Sequence, residues 1–328
     1  MNQMANDFIE ISAPDLLPEN PVLSVHMITY NHEKYLGQAI EGVVSQIVDF
    51  PVELVIGEDC SSDRTREIAL EYQKKYPSLV RVIYSYKNVG YNRNFSRVLS
   101  LCRGKYVATC DGDDIWIDKT KLQQQADFLE RNQEYVVCYH DSKVMDDNDN
   151  IIKKSNVPAG CKRDYTKYEL QRGAFISALT RCFRNVVHSP PDEWFNVLNA
   201  DRFLITLLGE YGAGHYMRDL EPGVYRHHPG GIWSALAEPE KKAELANTYY
   251  WLAVYYQRVG RKDLVNDFIM KMLAEIGIAV KIDNFALIRF AVRHIYRRGL
   301  QKVRTYVVSP VKRFFARYGV LSSRKNAE

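Results

Sequence analysis

Lys105-Tyr106-Val107-Ala108-Thr109-Cys110-Asp111-Gly112-Asp113-Asp114 is the stretch on which the reading of this chain turns. Tyr106 to Thr109 is a short β-favouring run, and the carboxylates of Asp111, Asp113 and Asp114 follow it directly. Carboxylates set so close repel one another unless a proton or a cation sits among them. Hard oxygen ligands suit Mg2+ or Mn2+, and Mg2+ typically takes only one or two carboxylates, leaving room for diphosphate oxygens and water. An acidic turn with solvated charges is the plainer alternative and the commoner meaning of an isolated Asp-x-Asp.

Working outward, the same arrangement recurs upstream. Val22 to Thr29, Val52 to Ile56 and Val80 to Tyr84 read as strands, each followed by residues at helical spacing. Helices are predicted over Thr65 to Tyr76, capped by Ser62 or Asp63, and over Lys119 to Arg131, capped by Asp118. This alternation predicts βαβ units and an α/β fold with a mainly parallel, Rossmann-like sheet. Ligands of such sheets bind at the carboxyl ends of the strands. A second candidate segment sits at such an end, Ile56-Gly57-Glu58-Asp59-Cys60-Ser61-Ser62-Asp63. Glu58 and Asp59 can accept hydrogen bonds from a base N–H or ribose hydroxyls while the following residues shape the turn. A third is Thr29-Tyr30-Asn31-His32-Glu33, whose backbone and side-chain groups can hold a nucleotide. Three strand ends are thus expected to meet on one rim.

Downstream, Asp146 to Asn150 reads as a hairpin tip, Thr166 with Glu169 as a capping box, Arg202 to Glu210 as a helix, and Tyr211 to His228 as two short strands. Thr248 to Val259 and Lys262 to Ile276 are expected to form an antiparallel helix pair across Gly260. The expected division is a loose lead-in over 1–20, a catalytic domain over 21–235, a helical hairpin over 236–280 and a basic amphipathic helical tail over 281–328.

The 328 residues carry a net charge of +4, but twelve Lys/Arg against two acidic residues lie beyond position 280, so the body is mildly acidic. Arg289, Arg293 and Arg297 recur four apart beside the apolar Ile288, Val292 and Ile295, a pattern suited to an anionic membrane surface. Packing on the body or a nucleic-acid contact are the alternatives, and nucleic acid is not the expected partner. The six cysteines lack C-x-x-C spacing, and no uninterrupted apolar run is long enough to span a bilayer. The expectation is a cytoplasmic protein, with peripheral attachment through the tail on the inner face of the cytoplasmic membrane.

Taken together, Ser24 to Asn31 with Tyr35-Leu36, the Glu58 to Arg64 turn, Asn88-Val89-Gly90 with Arg93-Asn94, and Lys105 to Asp114 resemble a family 2 glycosyltransferase of the GT-A nucleotide-diphospho-sugar transferase fold. Asn199-Ala200-Asp201 and Tyr225 to Trp233 resemble a bacterial subgroup that builds surface polysaccharide. The resemblance implies a nucleotide site at Thr29, Tyr30, Asn31, Glu33, Glu58, Asp59, Asn88, Arg93 and Asp111. It also implies Mn2+ or Mg2+ at Asp113 and His228, with Asp114 extending the motif as a contact to donor or acceptor. Asp201 falls where the family places its general base, with Ala200 replacing the usual preceding acidic or glycine residue, and a helix N-cap is its other reading. Arg226 is expected to pair phosphate; Trp116, Trp194 and Trp233 can stack on sugar faces, but core packing is the better reading for at least one of them.

The implied activity is inverting, metal-dependent transfer of a sugar from a nucleotide-diphosphate donor, UDP-linked by expectation. The acceptor is a hydroxyl of a glycan or lipid-linked glycan in polysaccharide biosynthesis. A nucleotidyltransferase would want a Gly-rich phosphate loop after the first strand, which Thr29 to Glu33 is not. A non-catalytic protein on the same fold is the other alternative, and the carboxylates at Asp111, Asp113 and Asp201 argue against it.

Overall fold

The computed structural model describes residues 8–275, so the basic tail over 281–328 lies outside the described residues, as does Ile276. The chain forms two compact units. The first runs to Phe195 and includes Ala200–Ala235; the second holds Asn196–Asn199 and the residues from Leu236 onward.

The first unit is built on strands β1 (Ile9–Ile11), β2 (Leu23–Thr29), β3 (Val52–Glu58), β4 (Val80–Tyr84), β5 (Tyr106–Thr109), β6 (Tyr135–Tyr139), β9 (Cys182–Arg184) and β10 (Ala213–Tyr216). They form one sheet in the order β1-β4-β3-β2-β5-β9-β6-β10. β4, β3, β2 and β5 run parallel, while β1 and β9 are antiparallel to their neighbours. Every residue of β2 is buried, as expected of a central parallel strand covered on both faces. Helices α1 (Leu36–Val44), α2 (Thr65–Lys75), α3 (Tyr91–Leu101) and α4 (Lys121–Arg131) make the crossovers. Leu23, Val25, Leu54, Ile56, Val80 and Ala108 share one core cluster with Ala39, Ile40, Leu122 and Ala126.

A small second sheet carries the downstream pattern, with β11 (Gly223–Arg226) parallel to β7 (Ser142–Met145) and β7 antiparallel to β8 (Ile151–Lys153). The Asp146 to Asn150 tip closes the β7–β8 hairpin, with Asp149 at φ 62°. The capping box on α5 (Lys167–Gln171) forms, the Glu169 amide donating to Thr166 Oγ1 and the Thr166 amide to Glu169 Oε2. The two short strands expected between 211 and 228 also form, but in different sheets, β10 beside β6 and β11 beside β7.

The reading of residues 1–20 as a loose lead-in is corrected by β1. Glu10 accepts two hydrogen bonds from the Arg81 guanidinium, at 2.9 and 3.2 Å, which fastens this edge strand to β4. β9 was not legible either, because its three residues owe their conformation to being sandwiched between β5 and β6.

In the second unit α7 (Glu238–Arg258) and α8 (Lys262–Glu275) reverse direction at Gly260, whose φ of +83° favours glycine. Phe268 stacks on Tyr256 with ring centroids 5.7 Å apart, joining the two helices. No helix among the described residues is long and apolar enough to cross a membrane.

Candidate active site

The first rim segments hold each other. Asn31 sits at φ 54°, a left-handed conformation that asparagine tolerates better than most side chains. Its amide donates to Ser61 Oγ at 3.0 Å, and its Oδ1 accepts from the Ser62 amide at 2.9 Å. The Glu33 amide donates to Asp63 Oδ2, while Glu33 Oε2 accepts from the Arg64 amide, both at 3.1 Å. These bonds satisfy N–H groups freed where β2 and β3 end. These polar atoms of Asn31 and Glu33 therefore join loop to loop, while both residues remain exposed on the rim. Tyr30 stands 45% exposed beside them.

The acidic pair is turned inward too. Glu58 is fully buried, accepting from the Ser61 amide at 2.5 Å and from Arg66 Nε at 2.6 Å. One carboxylate oxygen of Glu58 thus serves the turn and the other holds the first turn of α2 through Arg66. Asp59 accepts from the amides of Val89 and Gly90, each at 2.9 Å, and its carbonyl accepts from Asn88 Nδ2 at 3.0 Å. Burial raises the Asp59 carboxyl above its usual range in spite of these donors. Asp59 and Asn88 thus build one turn at the ends of β3 and β4. Arg93 is exposed on α3, its guanidinium 5.5 Å from the Phe195 ring.

The metal-type residues do converge. His228 Nε2 lies 3.0 Å from Asp113 Oδ2, and His32 Nε2 lies 3.7 Å from the same oxygen. One ligand atom from each of His32, Asp113 and His228 falls within 4.8 Å of the others. His32 was not among the expected ligands, although it stands in the quoted Thr29 to Glu33 segment; an imidazole three residues past a strand end was the available signal. Thr29 and Gly112 are in close approach, so that a Cβ on Gly112 would come within 2.7 Å of Thr29 Oγ1. The ends of β2 and β5 meet because position 112 is glycine.

The electrostatics separate the carboxylates. Burial pushes Asp111 up to about 8, with the Asp113 charge adding to the effect. Asp114 is raised well above its usual value by burial and then by Asp113 and Asp111. For Asp113 burial acts upward too, but the charges of His32 and His228 with the His228 hydrogen bond outweigh it, leaving the carboxyl below its ordinary range. Among the described residues, Asp111 Oδ1 and Thr29 Oγ1 are buried without a hydrogen-bond partner. Two nitrogen donors, crowded carboxylates and orphaned oxygens make a donor set that fits a divalent cation with oxygen-rich ligands around it.

Asp201 occupies the first turn of α6 (Ala200–Leu208). Its charge is among those acting on Asp111, on Tyr91 of α3 and on Arg181.

Three further residues expected at the site, Arg226, Asp114 and Trp116, are buried. The Arg226 guanidinium is buried, donating to Asp149 Oδ1 at 2.6 Å and to Gln38 Oε1 at 2.7 Å over the Tyr35 ring, so it anchors the hairpin tip rather than standing open to phosphate. Asp114 accepts from the Arg226 amide at 3.3 Å and is 3% exposed, which places it behind the rim instead of against donor or acceptor. Trp116 is also 3% exposed; its indole donates to the Leu179 carbonyl at 2.7 Å and Lys121 Nζ lies 4.0 Å from its ring. It is a core residue, as is Trp194, packed on Phe95 at 5.6 Å. Trp233 is partly buried in the loop after β11, five residues beyond His228, where the Ser234 hydroxyl donates to the His228 carbonyl.

The sequence model of the family described as glycosyl transferase family 2 matches residues 24–190. An uncharacterized protein of Mycobacterium tuberculosis is 35% identical over 220 residues, covering 67% of this chain and 63% of that protein. The chain therefore spans less than two thirds of that relative's length. Among solved structures, S. aureus TarS 1-349 in complex with UDP-GlcNAc superposes with a TM-score of 0.59 at 19% identity, covering 90% of this chain and 87% of that one. Mannosyltransferase PcManGT from Pyrobaculum calidifontis, in complex with GDP-Man and Mn2+, superposes with a TM-score of 0.52 at 14% identity, covering 93% and 88%. At these identities the structural likeness speaks for the fold.

Proposed function

The chain belongs to glycosyltransferase family 2, and from that premise we propose that it moves a sugar from a nucleotide-diphosphate donor to a hydroxyl of a glycan or lipid-linked glycan, with inversion at the anomeric carbon. The observation that carries this reading is the meeting of Asp113, His228 and His32 beside Asp111 at the strand ends of a GT-A sheet. UDP-linked sugars are the first donors to test, since TarS holds UDP-GlcNAc on the same fold.

In this reading Asp113 and His228, joined by His32, hold Mn2+ or Mg2+, which when bound neutralises charge on the departing diphosphate. Asp111 accepts from the ribose or the donor sugar. The turns around Asn31, Asp59 and Asn88 form the nucleotide pocket, with Tyr30 as its exposed aromatic side. Asp201 takes the proton of the attacking hydroxyl while the acceptor oxygen bonds to the anomeric carbon and the bond to the diphosphate oxygen breaks. No covalent intermediate with the protein is needed. Trp233 borders the sugar subsite. Residues 21–235 form the catalytic domain, 236–280 a helical hairpin, and the basic segment 281–328 a peripheral contact with anionic lipid near a lipid-linked acceptor.

The experiment is a screen of nucleotide sugars for Mn2+-dependent release of nucleoside diphosphate, with Asp113→Ala as control. A single accepted donor whose turnover is lost in the folded variant supports the proposal. Silence toward every donor and divalent ion overturns it.

A further inference from the structure

Tyr35 stands directly before α1, and the turn after β2 places it: its amide and that of Leu36 both donate to the His32 carbonyl at 2.9 Å. Three groups pack on its buried ring. The His228 ring lies 4.7 Å away between centroids at 54°, the His32 ring 6.2 Å away at 62°, and the Arg226 guanidinium carbon 4.9 Å from the ring centre. His32 and His228 meet edge-on at 5.7 Å. These separations lie within the range over which aromatic rings and cations attract one another. One phenol ring therefore lies against both imidazoles of the His32, Asp113 and His228 cluster.

The hydroxyl of the same ring serves a different segment, donating to Asp147 Oδ1 in the tip of the β7–β8 hairpin. Asp149 of that tip accepts from the Arg226 guanidinium at 2.6 Å. The tip is built as a unit, since Asp146 Oδ1 accepts from the amides of Asn148 and Asn150, each at 2.9 Å. Residues 147–150 are exposed, and exposed tips open readily unless they are tied down. Tyr35 and Arg226, stacked on each other, tie this one down beside the two histidines.

A metal-binding imidazole is usually oriented by a hydrogen bond on its other ring nitrogen. Among the described residues, His32 Nδ1 is buried without such a partner. Packing against Tyr35 supplies the orientation instead. We propose that Tyr35 is a positioning residue of the metal cluster, fixing the rings of His32 and His228 and coupling them to the docked hairpin tip over 146–150. It rests on the metal role proposed above for His32, Asp113 and His228. Coupling of this kind is reciprocal: whatever the docked tip adds to cation affinity, the bound cation adds to docking of the tip.

The test uses the full chain and Mn2+ as the probe, titrated by calorimetry with and without UDP. Tyr35→Leu is expected to weaken Mn2+ binding about 10- to 100-fold, the scale of a lost orienting contact, while Tyr35→Phe, which keeps the ring, weakens it only about 3-fold. In wild type, saturating Mn2+ is expected to slow amide hydrogen exchange over 146–150 by about 5-fold, and in Tyr35→Phe to leave it nearly unchanged. Should Tyr35→Leu fail to fold, Asp147→Ala, on the exposed tip, tests the coupling alone: Mn2+ affinity falls about 3-fold and Mn2+ no longer slows exchange at the tip. A folded Tyr35→Leu protein with wild-type Mn2+ affinity overturns the proposal. So does a wild-type protein that binds Mn2+ while its tip exchanges at the same rate as before. If wild type binds no Mn2+ even with UDP present, it is the metal assignment that has failed, and this proposal falls with it.

Discussion

His228 Nε2 and Asp113 Oδ2 lie 3.0 Å apart although 115 residues separate them in sequence. β11, on the small sheet, delivers the histidine to the carboxylate after the end of β5, and the absence of a side chain at Gly112 lets the backbone there approach Thr29. Asp113→Ala and His228→Ala are each expected to weaken Mn2+ binding and to lower sugar transfer by at least about 100-fold, the scale of a lost charge-stabilising contact in the transition state. Titration of Mn2+ by calorimetry, with and without nucleoside diphosphate, reads the first effect independently of turnover. Wild-type Mn2+ affinity in both variants would remove the metal assignment.

Asp201→Asn keeps the polarity of the first turn of α6 but removes the proton acceptor. The expected loss in kcat is roughly 100- to 10,000-fold, the usual range for general acid–base catalysis, with donor binding intact. If turnover survives and only the melting temperature drops, Asp201 is a helix-terminal residue and nothing more.

Asp149, 72% exposed on its side chain, holds the buried Arg226 guanidinium, while Asp147 accepts from the Tyr35 hydroxyl. Asp149→Ala leaves Arg226 with Gln38, at a cost of about 1 kcal/mol given the exposure of one partner. The tip over 146–150 should then be cut faster by protease than in wild type. Equal cleavage rates and equal denaturant midpoints would contradict the anchoring role of that contact.

His26 and His140 are buried, and desolvation lowers His26 to about 4 and His140 to about 3, with Lys121 adding to the effect at His140. The unfolded chain takes up protons on these imidazoles near pH 6.5, where the folded protein does not. Their contribution is thus complete above about pH 6.5 and declines as pH falls toward the folded values, by on the order of a few kcal/mol in all. A melting temperature that falls from pH 7 to pH 4 is expected, and replacing His140 with glutamine should flatten that slope. A slope that is the same in both proteins argues against the histidine as its cause.

The α/β rhythm was legible because β2, β3, β4 and β5 are apolar runs separated by helices at regular spacing, and β4 and β5 were predicted with the bounds the structure has. The carboxylate at Asp113 and the imidazole at His228 were legible as ligand types. Roles at Glu58, Asp114, Arg226 and Trp116 were not, because side-chain orientation after a strand end depends on which backbone N–H groups need acceptors nearby. His32 and Arg181 carry no local sign of what surrounds them.

By itself the sequence determined the periodicity of the central sheet, the positions of its loops and the chemistry available at each. Only the tertiary structure decided which of those side chains share a site. Periodicity is a property of neighbouring residues, whereas the partner of a buried charge is chosen by chain crossings that bring distant segments together. Glu58 on Arg66 and Arg226 on Asp149 show the difference: each looked free to meet a ligand, and each is committed to a residue that the linear order did not name.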